Sequence, residues 1–335
     1  MARTAVIGIR IVAAAALFLA AACAAQRDPA HVETSAPPPP PAPSPAPDPA
    51  AVAANELGLV PILMYHQIVA APSGEYDQTP EEFRAELDRL HREGYRPVTA
   101  ADYISGAIDL PAGAHPVVLT FDDSTVSQLS FTDDGKPLPD TAIGILEAFA
   151  AAHPGFAPRA TFYVNNEPFG NDPRALPWLA AHGYEIGAHT ASHANLARLD
   201  STGVQRELAE NVSAIESGAP GARVRTMALP LGVAPADRAL ASAGEWQGRR
   251  YRFDAVMLVG AEPAPSPYGQ VDPTGVPRIR SARGEVDFDS AYWLDRLAAD
   301  PGLRYTADGD PARISFPRAL AERLGGPWSN RAAPY

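Results

Sequence analysis

Two adjacent carboxylates and two histidines are the residues of this chain whose types and spacing are best suited to chemistry. Asp122 and Asp123 directly follow the apolar run 117–121, and His189 and His193 lie four residues apart later in the chain. Two carboxylates at the end of a buried strand repel each other and lose solvation unless a cation lies beside them. One aspartate and two histidines provide three protein ligands for a divalent metal and leave a position open for water. The second aspartate would then be free to act as a base.

The segments around these residues alternate between strand-like and helix-like patterns. Apolar runs typical of buried strands occupy 60–65, 117–121, 160–164, 185–188, 226–229 and 255–259. A capping box with proline at the first helical position predicts a helix from Thr79 to near Gly94, and further helices are predicted at 141–152, 173–181, 202–217 and 235–243. This alternation predicts an α/β fold with a parallel sheet or barrel and a site at the carboxyl ends of the strands. Asp122, Asp123 and His189 all follow such ends.

The amino-terminal region has the composition of an export signal. Arg3 and Arg10 lie beside an apolar stretch that is short for a bilayer span, so we expect residues 1–23 to form an export signal that is cleaved. The only cysteine, Cys23, follows Leu19 and three alanines, which resembles a bacterial lipoprotein signal. A secretory signal cleaved after one of the small residues is the alternative. We therefore expect an exported protein that is either lipid-anchored at the cell surface or extracellular.

Residues 24–56 are rich in alanine and proline and are predicted to form a disordered tether. A proline-rich chain extends by about 3 Å per residue, so this tether could hold a domain roughly 100 Å from a membrane. Residues 57–335 are predicted to form a single catalytic domain, which contains no cysteine and hence no disulfide or thiolate metal site. The net charge of -12 argues against nucleic acid or an anionic membrane surface as the main partner. We expect a monomer whose only membrane contact is a lipid on Cys23.

Three segments resemble motifs of the polysaccharide deacetylase family, also called the NodB-homology family or carbohydrate esterase family 4. They are TFDD at 120–123, HTASH at 189–193 and, as a degenerate third motif, ALPLG at 228–232. The resemblance covers about 57–335. It implies a distorted (β/α)7-type barrel, a divalent metal and hydrolysis of acetyl groups on glycans.

The resemblance also implies roles for individual residues. By position they are Asp123, His189 and His193 for the metal, Asp122 for the general base, and Ser124, Pro230 and Leu231 for substrate and oxyanion binding. In such a site the metal polarises the acetyl carbonyl and the base takes a proton from the attacking water. Zinc is the expected metal, although cobalt, nickel and manganese accept the same ligands.

The chain departs from the usual family pattern in its acid and in its third motif. No histidine follows His193, so the late Leu-x-His motif that most members use is absent. A branch of the family instead carries Met-Tyr-His on its first strand, and the segment 64–66 resembles it, which makes His66 the candidate acid. The third motif lacks the arginine that normally orients the base. Arg278 or Arg280, from another strand, is the candidate to replace it.

Three functions follow from these residues. The leading one is metal-dependent N-deacetylation of N-acetylhexosamine units in a cell-wall or extracellular polysaccharide. The second is an O-acetyl esterase on acetylated glycans, which depends less on His66 because a hydroxyl leaves more readily than an amine. The third is a surface-tethered glycan-binding protein without turnover, which the altered third motif and Ser124 suggest.

Overall fold

The computed structural model of this chain describes residues 47–282 and 287–335. The predicted export signal and most of the predicted tether lie outside the described residues. The strands are β1 (Ile62–Tyr65), β2 (Tyr95–Val98), β3 (His115–Phe121), β4 (Thr161–Val164), β5 (Glu185–Ala188), β6 (Thr226–Ala228), β7 (Ala243–Trp246), β8 (Arg249–Arg252), β9 (Ala255–Met257), β10 (Ile279–Arg280), β11 (Ile314–Phe316) and β12 (Ala332–Pro334). The helices are α1 (Pro80–Arg92), α2 (Ala100–Ser105), α3 (Ala142–Ala152), α4 (Ala175–Ala181), α5 (Ser201–Gly218) and α6 (Ser290–Ala299). None of these described helices is both long and apolar enough to cross a membrane.

Eight parallel strands form the main sheet. Its order is β10-β1-β3-β4-β5-β6-β9, and β2 pairs with β3 outside this path. The sheet curls, and a backbone bridge between Met257 at the end of β9 and Val276 just before β10 connects its two ends. The predicted α/β barrel-type fold is confirmed. Because the strands are parallel, their carboxyl ends share one rim of the curled sheet.

Burial explains why these segments form strands. Every residue of β3 is buried, as expected for a parallel strand that is covered on both faces. Phe121 at the end of β3 stacks between Tyr65 of β1 and Phe162 of β4, with 4.9 Å between ring centroids on each side. These rings fix the carboxyl ends of three neighbouring strands relative to one another. The residues that follow β1 and β3 therefore start from rigid positions.

The predicted helix at 235–243 is wrong. A short 3₁₀ turn at Arg238–Ala241 forms instead, and the chain then enters the antiparallel hairpin of β7 and β8. Gln247 and Gly248, both with positive φ, form the tight turn of this hairpin. Two residues with positive φ suit the right-handed twist of paired strands, so the turn favours a hairpin over a longer helix. The helices α2 and α6, which begin at side-chain caps, were not predicted.

The folded region begins before the predicted boundary at Leu57. Ala54, Asn55 and Glu56 are buried, although the composition of 24–56 predicts a tether. Asn55 exchanges backbone hydrogen bonds with Thr306, and the backbone N–H of Ser315 donates to the Glu56 carboxylate at 2.7 Å. Polar residues are buried here because the carboxyl-terminal part of the chain satisfies their hydrogen bonds, which composition does not reveal.

Candidate active site

The carboxyl ends of β3 and β5 bring three predicted metal ligands together. Nε2 of His189 and Nε2 of His193 each lie 3.3 Å from Oδ1 of Asp123. One ligand atom from each residue lies within 4.8 Å of the others. We call Asp123, His189 and His193 the Asp-His-His cluster. His189 is buried, whereas His193 is 38% exposed, so the cluster opens to solvent on one side.

Strained backbone turns direct these side chains toward each other. Asp123, Thr190 and His193 have φ values of 73°, 64° and 55°, in the left-handed region that non-glycine residues rarely adopt. Such conformations cost roughly 1–3 kcal/mol each and persist only where surrounding contacts enforce them. This strain lies in the two loops that carry the cluster.

Two polar side chains of α5 hold the histidine loop in place. The Glu207 carboxylate accepts hydrogen bonds from the backbone N–H of Ser192 at 2.9 Å and from its hydroxyl at 3.0 Å. Oδ1 of Asn211 accepts the backbone N–H of His189 at 3.0 Å, and its amide donates to the carbonyl of Val164. Both side chains are buried. These residues were missed at the sequence level, where they are two polar positions in an amphipathic helix.

The orientation of His189 follows from one hydrogen bond. Its Nδ1 lies 2.9 Å from the carbonyl oxygen of Ala228, which can only accept, so Nδ1 carries the proton. Nε2 then presents a lone pair to the cluster, the arrangement found for metal-bound histidines. Burial lowers the pKa of His189, but the nearby carboxylates of Asp123 and Asp122 outweigh this and raise it.

Asp122 is buried beside the cluster and forms a two-pronged ion pair with Arg278. Nη1 and Nη2 of Arg278 donate to Oδ1 and Oδ2 of Asp122, both at 2.7 Å. The remaining guanidinium contacts go to Thr120 and to the carbonyl of Leu258. Burial alone raises the pKa of Asp122, but Arg278 outweighs this and holds the pKa well below its ordinary value. Asp122 is therefore a carboxylate at neutral pH.

Of the two arginines named from the sequence, Arg278 contacts Asp122, the predicted base. It reaches Asp122 from the segment between β9 and β10, while Arg280 pairs with Glu75 at 2.9 Å. Burial lowers the pKa of Arg278, but the charge of Asp122 outweighs this and raises it, so the guanidinium stays charged. A parallel sheet with β10 beside β1, and β3 on the other side of β1, makes this contact possible.

His66 follows β1 and faces the same cluster. Its Nε2 lies 4.0 Å from Oδ2 of Asp123, and its ring packs on Tyr76 with 4.9 Å between centroids. Nδ1 is buried and has no hydrogen-bond partner among the described residues. Burial lowers the pKa of His66, in spite of the charges of Asp122 and Asp123. Gln128, which the sequence did not single out, bonds the carbonyls of both His66 and Asp122 and so holds the ends of β1 and β3 together.

The remaining predicted site residues lie beside the cluster with different exposures. Ser124 is buried, and its hydroxyl bonds to Asn165, so only its backbone remains as a candidate oxyanion contact. Pro230 is buried after β6, whereas the Leu231 side chain is 60% exposed and its φ is 59°. The loop of the third motif thus exposes the apolar side chain of Leu231 to solvent. This loop follows β6, in which the carbonyl of Ala228 accepts the hydrogen bond from His189.

Part of this chain is similar to a known protein family. Residues 109–247 match the family described as "Polysaccharide deacetylase". This range contains the two aspartates and the two histidines of the site. Over these residues the chain is similar to the polysaccharide deacetylase family. His66 and Arg278 lie outside the matched range, so their contributions come from the structure of this chain.

Two curated relatives are similar to part of this chain. A chitooligosaccharide deacetylase of Bradyrhizobium sp. (strain ANU 289) is 30% identical over 122 residues, which are 36% of this chain and 48% of the relative. The chitooligosaccharide deacetylase of Sinorhizobium fredii (strain NBRC 101917 / NGR234) is 29% identical over 132 residues, 39% of this chain and 54% of the relative. The chain thus spans about half the length of the curated relatives it matches.

Solved structures of similar fold support the barrel-type architecture. A Streptococcus pyogenes deacetylase in complex with acetate is 18% identical with a TM-score of 0.53, covering 71% of this chain and 97% of that one. A polysaccharide deacetylase from Bacillus cereus is 17% identical with a TM-score of 0.53, covering 72% of this chain and 68% of that one. At these identities the likeness shows the fold alone.

The family implies a divalent metal, and the residues present fit one. Oδ1 of Asp123 is buried and accepts no hydrogen bond from any described residue, although two imidazole nitrogens lie 3.3 Å from it. A buried carboxylate oxygen without a partner is costly unless a cation satisfies it. One carboxylate and two imidazoles are also a donor set that zinc binds, with room for a further ligand.

Proposed function

We propose that this protein is a metal-dependent hydrolase that removes N-acetyl groups from N-acetylhexosamine units of a cell-wall or extracellular polysaccharide. One observation carries the proposal: an ionised, buried carboxylate at Asp122 lies directly beside a three-residue set of metal ligands. Metal-assisted hydrolysis needs these two parts next to each other. The matched relatives named chitooligosaccharide deacetylases supply the substrate class.

Asp123, His189 and His193 would hold the metal. When bound, a divalent ion supplies a Lewis acid that polarises the acetyl carbonyl and lowers the pKa of water. We infer zinc, since imidazole and carboxylate donors suit it, and these donors also accept cobalt, nickel or manganese. The protein contributes the fixed positions of the ligand atoms, which α5 secures through Glu207 and Asn211.

Asp122 is the base in this proposal. An ionised carboxylate has about four lone-pair sites, and Arg278 occupies two of them, so Asp122 keeps the capacity to accept a proton from the attacking water. The ion pair also fixes the carboxylate, since both of its oxygens are held at 2.7 Å. Arg278 therefore orients the base and keeps it ionised at neutral pH.

His66 is the proposed acid. Its Nε2 lies 4.0 Å from Asp123, so the imidazole faces the place where the acetyl group must lie. An amine is a poor leaving group until it is protonated, and a histidine at this position can deliver that proton as the carbon-nitrogen bond breaks. Tyr76 packs against the ring and limits its rotation.

An O-acetyl esterase is the second candidate, and one observation favours it. Nδ1 of His66 is buried without a described hydrogen-bond partner, and burial lowers the pKa of this histidine. A lower pKa reduces the protonated fraction at neutral pH, which matters more for an amine than for an alkoxide leaving group. The two functions share the attack step and differ in their dependence on His66.

We further propose that the protein is exported. With a lipid on Cys23, the proline-rich segment 24–46 would tether the domain near its polymeric substrate at the cell surface; without the lipid, the protein would be extracellular. The net charge of -12 is compatible with a neutral or partly deacetylated, cationic glycan. A lipidated amino terminus would be detected by mass spectrometry of the protein isolated from membranes.

Acetate release tests the proposed function. The purified protein would be assayed on chitooligosaccharides, peptidoglycan and acetylated xylan, each with and without a metal chelator. We expect acetate from the N-acetylated substrates, loss of release with chelator, and recovery after addition of zinc. Release from acetylated xylan alone would support the esterase instead. If the metal-loaded protein binds these glycans but releases acetate from none of them, the result would support a glycan-binding protein without turnover.

A further inference from the structure

A cleft of about 310 Å³ is lined in part by Tyr76, whose ring packs against His66. Its lining includes Tyr76, Val259, Arg280, Asp287 and Phe288, so it combines aromatic faces with charged groups of both signs. The side chain of Phe288 is 48% exposed and that of Val259 is 38% exposed. This volume is at the lower end of the range for ligand pockets, about 300–1,000 Å³. It suits one ring of a sugar chain rather than a long segment.

The cleft adjoins the catalytic groups through Tyr76. The Tyr76 ring packs against His66, with 4.9 Å between centroids, and the Arg280 guanidinium lies over the same Tyr76 ring, 5.2 Å from its centroid. Arg280 is also paired in register with Met64, two residues before His66. A ligand in the cleft would therefore be separated from the proposed acid by a single aromatic ring.

Arg280 is held in place yet keeps an unused donor. Its Nη1 bonds to Glu75 at 2.9 Å, while its Nε is buried and has no hydrogen-bond partner among the described residues. A buried donor without a partner costs free energy, which a bound ligand would recover. The ion pair fixes the guanidinium before any ligand arrives, so little side-chain entropy is lost on binding.

We propose that this cleft binds a second, neutral sugar ring of the glycan chain, next to the ring whose acetyl group lies at the Asp-His-His cluster. The inference rests on the proposed function. A pyranose has an apolar face that can pack on Phe288, and hydroxyl groups that can bond to Arg280 and Asp287. The acidic groups Glu75 and Asp287 offset the charge of Arg280, so the cleft does not favour a strongly anionic ring.

Binding without turnover tests the cleft directly. In an Asp122→Asn background with zinc added, affinities for N-acetylglucosamine and for chitotetraose would be measured by calorimetry. We expect the tetramer to bind at least about tenfold more tightly, which corresponds to about 1.4 kcal/mol. Arg280→Gln and Phe288→Ala should each remove most of this difference and leave the affinity for the monomer unchanged.

Matched substitutions outside the cleft serve as controls. Arg84→Gln removes an arginine of α1 that also pairs with a glutamate, and Leu138→Ala removes another exposed apolar side chain. Neither substitution should change the ratio between the affinities for chitotetraose and N-acetylglucosamine.

The outcomes separate the cleft from the proposed function. If acetate is released from chitooligosaccharides but Arg280→Gln and Phe288→Ala retain the full tetramer advantage, the cleft assignment is wrong and the proposed function stands. Equal affinity for N-acetylglucosamine and chitotetraose would also overturn the cleft assignment and leave the proposed function standing. If the metal-loaded protein neither binds the sugars nor releases acetate from them, both proposals are wrong.

Discussion

Replacing Arg278 with methionine should destabilise the protein far more than the loss of an exposed ion pair would. The Arg278 side chain is fully buried and that of Asp122 is 2% exposed, and two hydrogen bonds of 2.7 Å join them. Arg278→Met leaves the Asp122 carboxylate buried without a counter-charge, and breaking a buried pair in this way costs about 3–5 kcal/mol. The substitution should also reduce turnover, because an unpaired buried carboxylate takes up a proton and ceases to be a base.

A double-mutant cycle isolates this interaction. Urea unfolding at pH 7, followed by tryptophan fluorescence, would be measured for Arg278→Met, Asp122→Asn and the combined variant. The combined variant buries neither charge, so its loss of unfolding free energy should be about 2–3 kcal/mol smaller than the sum of the single losses. As a control, Arg84→Met removes an exposed pair with Asp140 and should cost less than about 1 kcal/mol. A cost below about 1 kcal/mol for Arg278→Met, or additive single losses, would refute the pairing.

Three further predictions concern residues around the site and at the start of the domain. Glu207→Gln should weaken zinc binding about 10- to 100-fold because the loop carrying His193 loosens. Competition with a chelator would measure the zinc affinity. As a control, Glu210→Gln changes an exposed residue of the same helix and should have no effect. His66→Ala should slow amide hydrolysis about 10²- to 10⁴-fold with metal content unchanged; equal loss on an aryl acetate would mean that His66 is not the acid. Burial raises the pKa of Glu56 from 4.5 to about 7. Between these pH values the folded state keeps a proton that the unfolded state has lost, so the free energy of unfolding should fall as pH rises from 4.5 to 7. The expected fall is about 3 kcal/mol. Urea unfolding at pH 5 and pH 8 would measure it, and Glu56→Gln should abolish the difference between the two pH values. If Glu56→Gln leaves that difference unchanged, Glu56 is not the cause of the pH dependence.

Local sequence patterns were sufficient for the elements that carry the cluster. The apolar run before Asp122 predicts β3 because a parallel strand is buried on both faces, and the capping box at Thr79 predicts the start of α1. The hairpin of β7 and β8 was missed because its turn depends on positive φ at Gln247 and Gly248, which sequence patterns at 235–243 did not indicate.

Contacts between distant segments account for what the sequence could not decide. Arg278 and Arg280 lie two residues apart and were both candidates from the sequence, and only the pairing of β10 with β1 determines which side chain reaches Asp122. Likewise, Glu207 lies 15 residues after Ser192, and nothing in that spacing shows that its carboxylate supports the histidine loop. Burial of Glu56 depends on Ser315, at the other end of the chain.

The central claim is that Asp122 acts on the substrate while Asp123 and the two histidines hold the metal. Metal content and acetate release, measured together for Asp122→Asn and His193→Ala, test it most directly. We predict that Asp122→Asn retains full zinc and loses most release from chitooligosaccharides, whereas His193→Ala loses most of its zinc because one of three protein ligands is gone. Full zinc in His193→Ala, or near-normal acetate release by Asp122→Asn, would contradict this division of roles.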